Sequence, residues 1–206
     1  MSDWTIGIIG GSGLYAIDAL EDPQWIAVQS PWGDPSDEIL CGTIGHVRVR
    51  FLPRHGRGHK IPPSELNFRA NIDAMKRAGV TEIISLSACG SFKKELDPGT
   101  FVIVDQFIDR TFARNKSFFG TGLVAHVGFG HPVCPRLGNA LQTSAKTLGI
   151  KTQRGGIYLT MEGPQFSTRA ESNFYRDAVG AAGTCAVAPD SHLGCDNRML
   201  TVHRYR

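Results

Sequence analysis

Residues 5–15, TIGIIGGSGLY, carry an apolar run that breaks abruptly into glycines around one serine. Such a run, closed by turn residues, predicts an opening strand with a tight turn at its carboxyl end. Gly11, Gly13 and Ala16 satisfy the spacing G-x-G-x-x-A, so a dinucleotide fingerprint, an anion cradle and a plain turn are all open at this point. A dinucleotide fold needs a full crossover helix directly after the glycine turn. The following segment, AIDALEDPQW (16–25), is too short for one and is broken by Pro23, which weakens that reading. No Lys-Ser or Lys-Thr follows the turn either, against a Walker-type phosphate loop.

The 206 residues are enough for one domain with a substantial core. With 41% hydrophobic and 20% charged residues the composition is globular, and 24 glycines with 11 prolines predict many tight connections between short elements. Basic residues exceed acidic ones by 22 − 19 = 3, too small a bias for a nucleic-acid coat but compatible with a local basic pocket. The five cysteines, Cys41, Cys89, Cys134, Cys185 and Cys195, form no C-x-x-C pair and are odd in number. A reducing compartment is the simpler reading, and with neither a signal segment nor a long apolar span the expectation is a cytoplasmic protein away from membranes.

Downstream, GHVRVRFLPRHG (45–56) alternates Val47, Val49 and Phe51 against His46, Arg48 and Arg50, a half-buried strand that delivers Arg54 and His55 into a glycine-rich turn. PPSELNFRANIDAMKRAG (62–79) predicts a helix with Ser64 as its N-cap, Leu66, Ile72 and Met75 on its apolar side and Gly79 as its terminator. TEIISLSACGS (81–91) then supplies a buried strand with Ser87, Ala88 and Cys89 at its carboxyl end, closing a right-handed strand, helix, strand unit with parallel strands. DPGTFVIVDQFIDRT (97–111) and RGGIYLTMEG (154–163) each predict one further strand, with a helix in RLGNALQTSAKTLGI (136–150) between them. EGPQFSTRAESNFYR (162–176) turns into a helix whose Thr168 and Glu171 have capping-box spacing. Strands alternating with helices predict an α/β fold, a three-layer sandwich with a central mixed sheet.

Ligands of open α/β sheets sit at the carboxyl ends of strands, so GGSG, PRHG, SACGS and EGPQFS are candidates to converge on one crevice. The first offers backbone N–H groups as an anion nest, with the Ser12 hydroxyl as a further donor, or else a plain turn. Arg54 and His55 bring a guanidinium fork and an imidazole, the chemistry wanted around a small dianion; the bland reading is an exposed basic turn. Arg54, Arg57, His59 and Lys60 cluster, but without interleaved aromatics for base stacking, so nucleic acid ranks below phosphate. His55 and His59 have i, i+4 spacing, yet Gly56 and Gly58 oppose a helix and no metal site is expected. Ser87 and Ala88 offer a hydroxyl and an N–H, or simply small residues under a helix. Phe166 can stack on a flat base or staple its helix, and Ser167 can meet a ligand edge. His126, in GLVAHVGFGHPVCP (122–135), is on its own an ordinary surface histidine.

Together, IGIIGGSGLY, LPRHGRGHKIPPSELNFRANIDAMK, SACGSF, PGTFVIVDQFIDRT, AHVGFGHPVCP and MEGPQFSTRAES resemble the methylthioadenosine phosphorylases, a branch of the purine nucleoside phosphorylase family. The order is the family's from about Thr5 to Arg176. The resemblance implies attack of inorganic phosphate on C1′ of a nucleoside, most simply S-methyl-5′-thioadenosine, to release a free purine and a ribose 1-phosphate. A methylthioinosine or other purine nucleoside substrate, or a non-catalytic phosphate or nucleoside binder, is the alternative. No metal or organic cofactor is implied. Ser12, Arg54, His55, Ser87 and Ala88 match the family's phosphate site, Phe166 the residue beside the base and Ser167 one that tunes substrate choice. His126 matches a position that reaches a neighbouring subunit's ligand, implying a homotrimer.

From about Asp177 the sequence departs from the family. The expectation is a phosphorylase-like α/β domain over 1–176 that lacks the family's C-terminal part, followed by a divergent tail, 177–206, read either from a shifted frame or as the natural end of a diverged, short homologue. The family's ribose-binding Met-Thr segment and its purine-side carboxylate find no match there, and Asp177, Asp190 and Asp196 are assigned no role. Weak activity is the corresponding expectation.

Overall fold

The structure, a computed structural model, describes residues 4–11, 17–179, 183–187 and 197–204, with backbone alone from 179 onward. Two compact units emerge. The first takes in the chain to Ile84 and Ala113–Gly130; the second comprises Ser85–Phe112 and His131–His203.

In the first unit, β1 (Thr5–Gly10) pairs in parallel with β4 (Val47–Pro53), Thr5 opposite Arg48 and Gly10 opposite Pro53. β4 is antiparallel to β3 (Ile39–Ile44), which is antiparallel to β2 (Glu21–Ile26). Pro23, which forbids a helix in this stretch, is tolerated because β2 ends the strand order and its register shifts between Glu21 and Gln24, with Asp22 at φ 50°. An edge bulge is where a missing ladder N–H does least damage.

The alternation in β4 behaves as its sequence predicts: Val49 and Phe51 are buried, Arg48 exposed and Arg50 half-buried. α1 (Phe68–Arg77) follows, but its cap differs from expectation. The prolines start a short 3-10 turn, Pro63–Glu65, and Leu66 is extended, so the helix begins three residues later than Ser64 would allow. Asn67 caps it instead, accepting from the Ala70 N–H at 3.1 Å while its amide donates to the Trp32 carbonyl at 2.8 Å. Leu66 is buried ahead of the helix rather than on its face. Gly79, at φ 80°, ends it in a Schellman motif: its N–H bonds Lys76 and the Val80 N–H bonds Met75. β5 (Glu82–Ser91) comes next, and β1 lies between it and β4 in the strand order.

The core here joins Ile9, Ile39, Leu52, Ala74, Met75, Val80 and Ile83. Gly7 makes this packing possible, since a Cβ on it would fall 2.7 Å from Val80 Cγ1, 3.0 Å from Met75 Cε and 3.1 Å from Ile83 Cγ1.

In the second unit one expected strand segment is divided and the other is not. FVIVDQFIDR gives β6 (Phe101–Ile103) and β7 (Gln106–Arg110), whereas RGGIYLTMEG holds β9 (Ile157–Met161), with a further short strand, β8 (Thr152–Arg154), just ahead of it. β6 pairs with β8 and β7 with β9, all parallel, so both segments bend at the same level. Gly155 and Gly156, at φ 83° and 125°, form the corner, and Asp105 Oδ1 accepts the Gly156 N–H at 3.0 Å. Between them α2 (Pro135–Thr147) buries Leu137, whereas Leu148 just beyond it is exposed. α3 (Arg169–Val179) carries the predicted capping box: Glu171 Oε2 accepts the Thr168 N–H at 2.7 Å, and Thr168 Oγ1 accepts the Glu171 N–H at 3.2 Å. Arg176, the expected limit of the resemblance, falls inside this helix. Beyond it, β10 (Gly183–Val187) is parallel to β9 and antiparallel to the end of β5, and β11 (Asn197–Arg204) is parallel to β6. Among the described residues no helix is long and apolar enough to cross a membrane.

Filling Gly7 tests the first core. Gly7→Ala is expected to lower unfolding stability by about 1–3 kcal/mol through overpacking. Gly128→Ala, where a Cβ meets open space, is expected to stay within about 0.5 kcal/mol of wild type. Urea unfolding of the two variants side by side measures both.

Candidate functional site

Because β1 and β4 are parallel, their carboxyl ends reach the same level. The Arg54 N–H continues the ladder one step past the strands, donating to the Gly10 carbonyl at 2.9 Å. Arg54 Nη2 lies 3.9 Å from where a Cβ on Gly11 would stand, so the guanidinium is beside the start of the glycine turn. Ser12, the hydroxyl expected there, lies outside the described residues.

His55 is buried, 1% exposed, which rules out the plain exposed turn. Its Nδ1 is 2.8 Å from the Ile61 carbonyl oxygen and its Nε2 receives the Arg54 Nε–H at 3.0 Å. The His55 carbonyl accepts the N–H groups of Lys60 and Ile61. His59, at φ 54°, stacks on the imidazole with ring centroids 4.6 Å apart and 21° between planes. The imidazole, expected to donate to phosphate, therefore has both nitrogens engaged within the chain.

Arg57 braces the same turn from outside. Its guanidinium forks onto Asp37 and reaches Glu38 at 2.8 Å, and its backbone N–H also donates to Asp37. It lies 4.2 Å over the Trp25 ring. Burial pushes the Asp37 carboxyl up, but hydrogen bonds from the Arg57 side chain and backbone and from the Glu38 N–H outweigh it and hold the group below its usual 3.8. Neither Asp37 nor Glu38 stands in any motif, and sequence reading missed both.

Still in the first unit, His126 is exposed within Ala113–Gly130. Around it Leu123, Val124, Val127 and Phe129 are 66%, 73%, 72% and 59% exposed.

In the second unit, Ser87 and Ala88 sit inside β5 rather than at its end, since the strand runs on to Ser91; Ser87 is half-buried and Ala88 exposed. The run of small residues hid this continuation, which pairing with β10 supports at Gly90 and Ser91. Phe166 is 42% exposed in the loop between β9 and α3, so it does not act as a buried staple. Ser167 Oγ lies 2.7 Å from Ser172 Oγ on the first turn of α3, a partner sequence reading did not pick out. Glu162, buried at the end of β9, accepts the Phe112 N–H at 2.7 Å and ties the end of the FIDRT segment to the EGPQFS loop. Its signal was its place at the strand end, within a stretch already singled out. Among the described residues no group of three or more His, Cys, Asp or Glu side chains is placed to hold a metal ion.

Solved structures share this architecture. A methylthioadenosine phosphorylase from an antarctic soil metagenomic library aligns with a TM-score of 0.85 at 40% identity, over 95% of this chain and 70% of that one. That of Schistosoma mansoni in complex with adenine aligns at 0.84 and 32% identity, over 96% and 80%. The mixed sheet with its helices is thus the α/β fold of the nucleoside phosphorylases. The chain belongs to the Phosphorylase superfamily, whose sequence model matches residues 5–184. The S-methyl-5′-thioadenosine phosphorylase of Rhodospirillum rubrum is 63% identical over 171 residues, 83% of this chain and 58% of the relative. Its counterpart in Saccharolobus solfataricus is 49% identical over 197 residues, 95% and 73%. The chain spans 58–60% of the length of three such relatives.

The Asp37 brace makes a pH prediction. A carboxyl held below its unfolded value contributes stability that is fully present above about pH 4 and is lost as pH falls through the folded value. Asp37→Asn is expected to be less stable than wild type at pH 7, with the gap narrowing as pH falls below 4. Thermal melts from pH 7 to 3 measure it.

Proposed function

We propose that the chain holds the phosphate side and part of the nucleoside side of an enzyme that phosphorolyses S-methyl-5′-thioadenosine. The observation carrying this reading is the Arg54 guanidinium set beside the glycine turn by the β1 and β4 pairing. The relatives' names support the substrate. Inorganic phosphate is co-substrate and no organic cofactor or metal is called for.

In this reading a phosphate oxygen forms a bond to C1′ as the bond from C1′ to N9 breaks. The bonding pair leaves with the purine, which takes up a proton to become adenine, and the sugar departs as 5-methylthioribose 1-phosphate. Positive charge builds on the sugar ring, so a phosphate clamped against it serves as nucleophile and counter-charge. Arg54 supplies a charge-assisted fork to the dianion, and Ser12, Ser87 and Ala88 carry the phosphate-binding role that the family resemblance implies for them. Phe166, exposed in its loop, offers a face to the purine, and the paired hydroxyls of Ser167 and Ser172 tune the recognised edge. The group that protonates the leaving purine is assigned to no residue of this chain, and turnover by the chain alone is expected to be low.

A homotrimer belongs to the same proposal, with His126 offered to a neighbour. The exposed apolar side chains around it support an interface, being more than scattered surface residues. A cytoplasmic setting accords with Cys41 and Cys134, which are free thiols.

Inorganic phosphate is expected to raise the melting temperature in a saturable way. Arg54→Ala is expected to weaken that affinity about 10- to 100-fold, the equivalent of ~1.5–3 kcal/mol for a charged hydrogen bond. Absence of any phosphate-dependent shift in the wild type would overturn the proposal. Chromatography of the chain with methylthioadenosine and phosphate then separates slow adenine release from binding without chemistry. Light scattering tests the assembly: Val127→Asp should shift a trimer toward monomer.

A further inference from the structure

The ring of His55 has one arrangement of protons that satisfies its neighbours. The Ile61 carbonyl can only accept, so Nδ1 carries the hydrogen; the Arg54 Nε–H can only donate, so Nε2 is the bare acceptor. An imidazolium, with donors on both nitrogens, does not fit this pair of partners, and neither does the Nε2–H tautomer. The ring cannot turn away: it is 1% exposed, its own carbonyl holds the Lys60 and Ile61 N–H groups, and His59 covers one face.

We propose that His55 is a positioning residue for Arg54, its Nε2 taking the guanidinium's Nε–H and thereby holding the guanidinium with Nη2 beside Gly11. The inference rests on Arg54 being a phosphate ligand. A guanidinium on four rotatable bonds loses much of its freedom when it clamps an anion; held beforehand at Nε, it loses less, and the benefit appears as affinity. With Nε committed, the anion meets the terminal edge, where Nη1 and Nη2 form a parallel two-donor fork. His59 and the Ile61 carbonyl fix the plane of the imidazole, and Arg54 inherits that alignment.

Two substitutions separate the bonds. In His55→Asn the amide nitrogen replaces Nδ1 and can still reach the Ile61 carbonyl, but the Nε2 acceptor of the Arg54 Nε–H is lost. In His55→Gln the amide oxygen reaches the position of Nε2 and restores the acceptor, while the tether to Ile61 is lost.

The readouts are nitrogen-detected NMR of the full chain and calorimetric titration with inorganic phosphate. Wild type is expected to show the Nδ1–H tautomer at His55 and a slowly exchanging Arg54 Nε–H. His55→Asn should speed that exchange and weaken phosphate binding about tenfold, of the order expected for one hydrogen bond to a charged group; His55→Gln should recover most of both. An Nε2–H tautomer in wild type, wild-type affinity in His55→Asn, or equal losses in the two variants would each overturn the inference, the last by showing that the tether alone matters. If the tautomer and exchange are as expected while wild type binds no phosphate, the positioning stands and the phosphate reading of Arg54 fails.

Discussion

The parallel pairing of β1 with β4 is the constraint on which the first unit depends. Its register sets Gly10 opposite Pro53, and the next bond, from the Arg54 N–H to the Gly10 carbonyl, ties the two outgoing turns together. The same register buries Val49 and Phe51 on β4. A slip by one residue would turn those side chains outward and carry Arg54 away from Gly11, so the core and the candidate site are specified by one choice. Gly7 contributes in the middle of β1: its missing side chain admits Val80, Met75 and Ile83. Packing therefore defends a register that the hydrogen bonds alone would hold less firmly.

What the sequence displays and what it conceals divide along the distance between interacting groups. The β4 alternation, the stop at Gly79 and the box between Thr168 and Glu171 are local, each settled within a few residues, and all can be read directly. The cap of α1 cannot, because Ser64 and Asn67 both have capping side chains; Asn67 prevails with its amide on the Trp32 carbonyl, 35 residues away. The corner dividing β6 from β7 and β8 from β9 is hidden for the same reason. Asp105 looks like an interruption in a strand and Gly155 and Gly156 like a loose start to one, until the carboxylate is seen on the Gly156 N–H. Ser87 and Ala88 invite placement at a strand end by their size, and only the β10 partner shows that the strand continues.

The site follows the same division. Residue types suited to an anion were visible in PRHG, but the division of labour between them was not. Composition makes Arg54, Arg57, His59 and Lys60 one basic cluster, the pattern that invites a polyanion reading. Geometry separates them. Arg57 is matched by Asp37 and Glu38 and lies on Trp25, and His59 lies against His55. A cation forked by two carboxylates contributes little net field to its surroundings. Of the cluster, Arg54 is the cation that the β1 and β4 pairing sets beside the start of the glycine turn. That suits a small dianion bound at a point, whereas an extended backbone of phosphates calls for several outward cations spaced along a surface. The acidic residues that brace the turn thus contribute to selectivity as well as to stability: by occupying Arg57 they remove one of the outward cations that a polyanion would need.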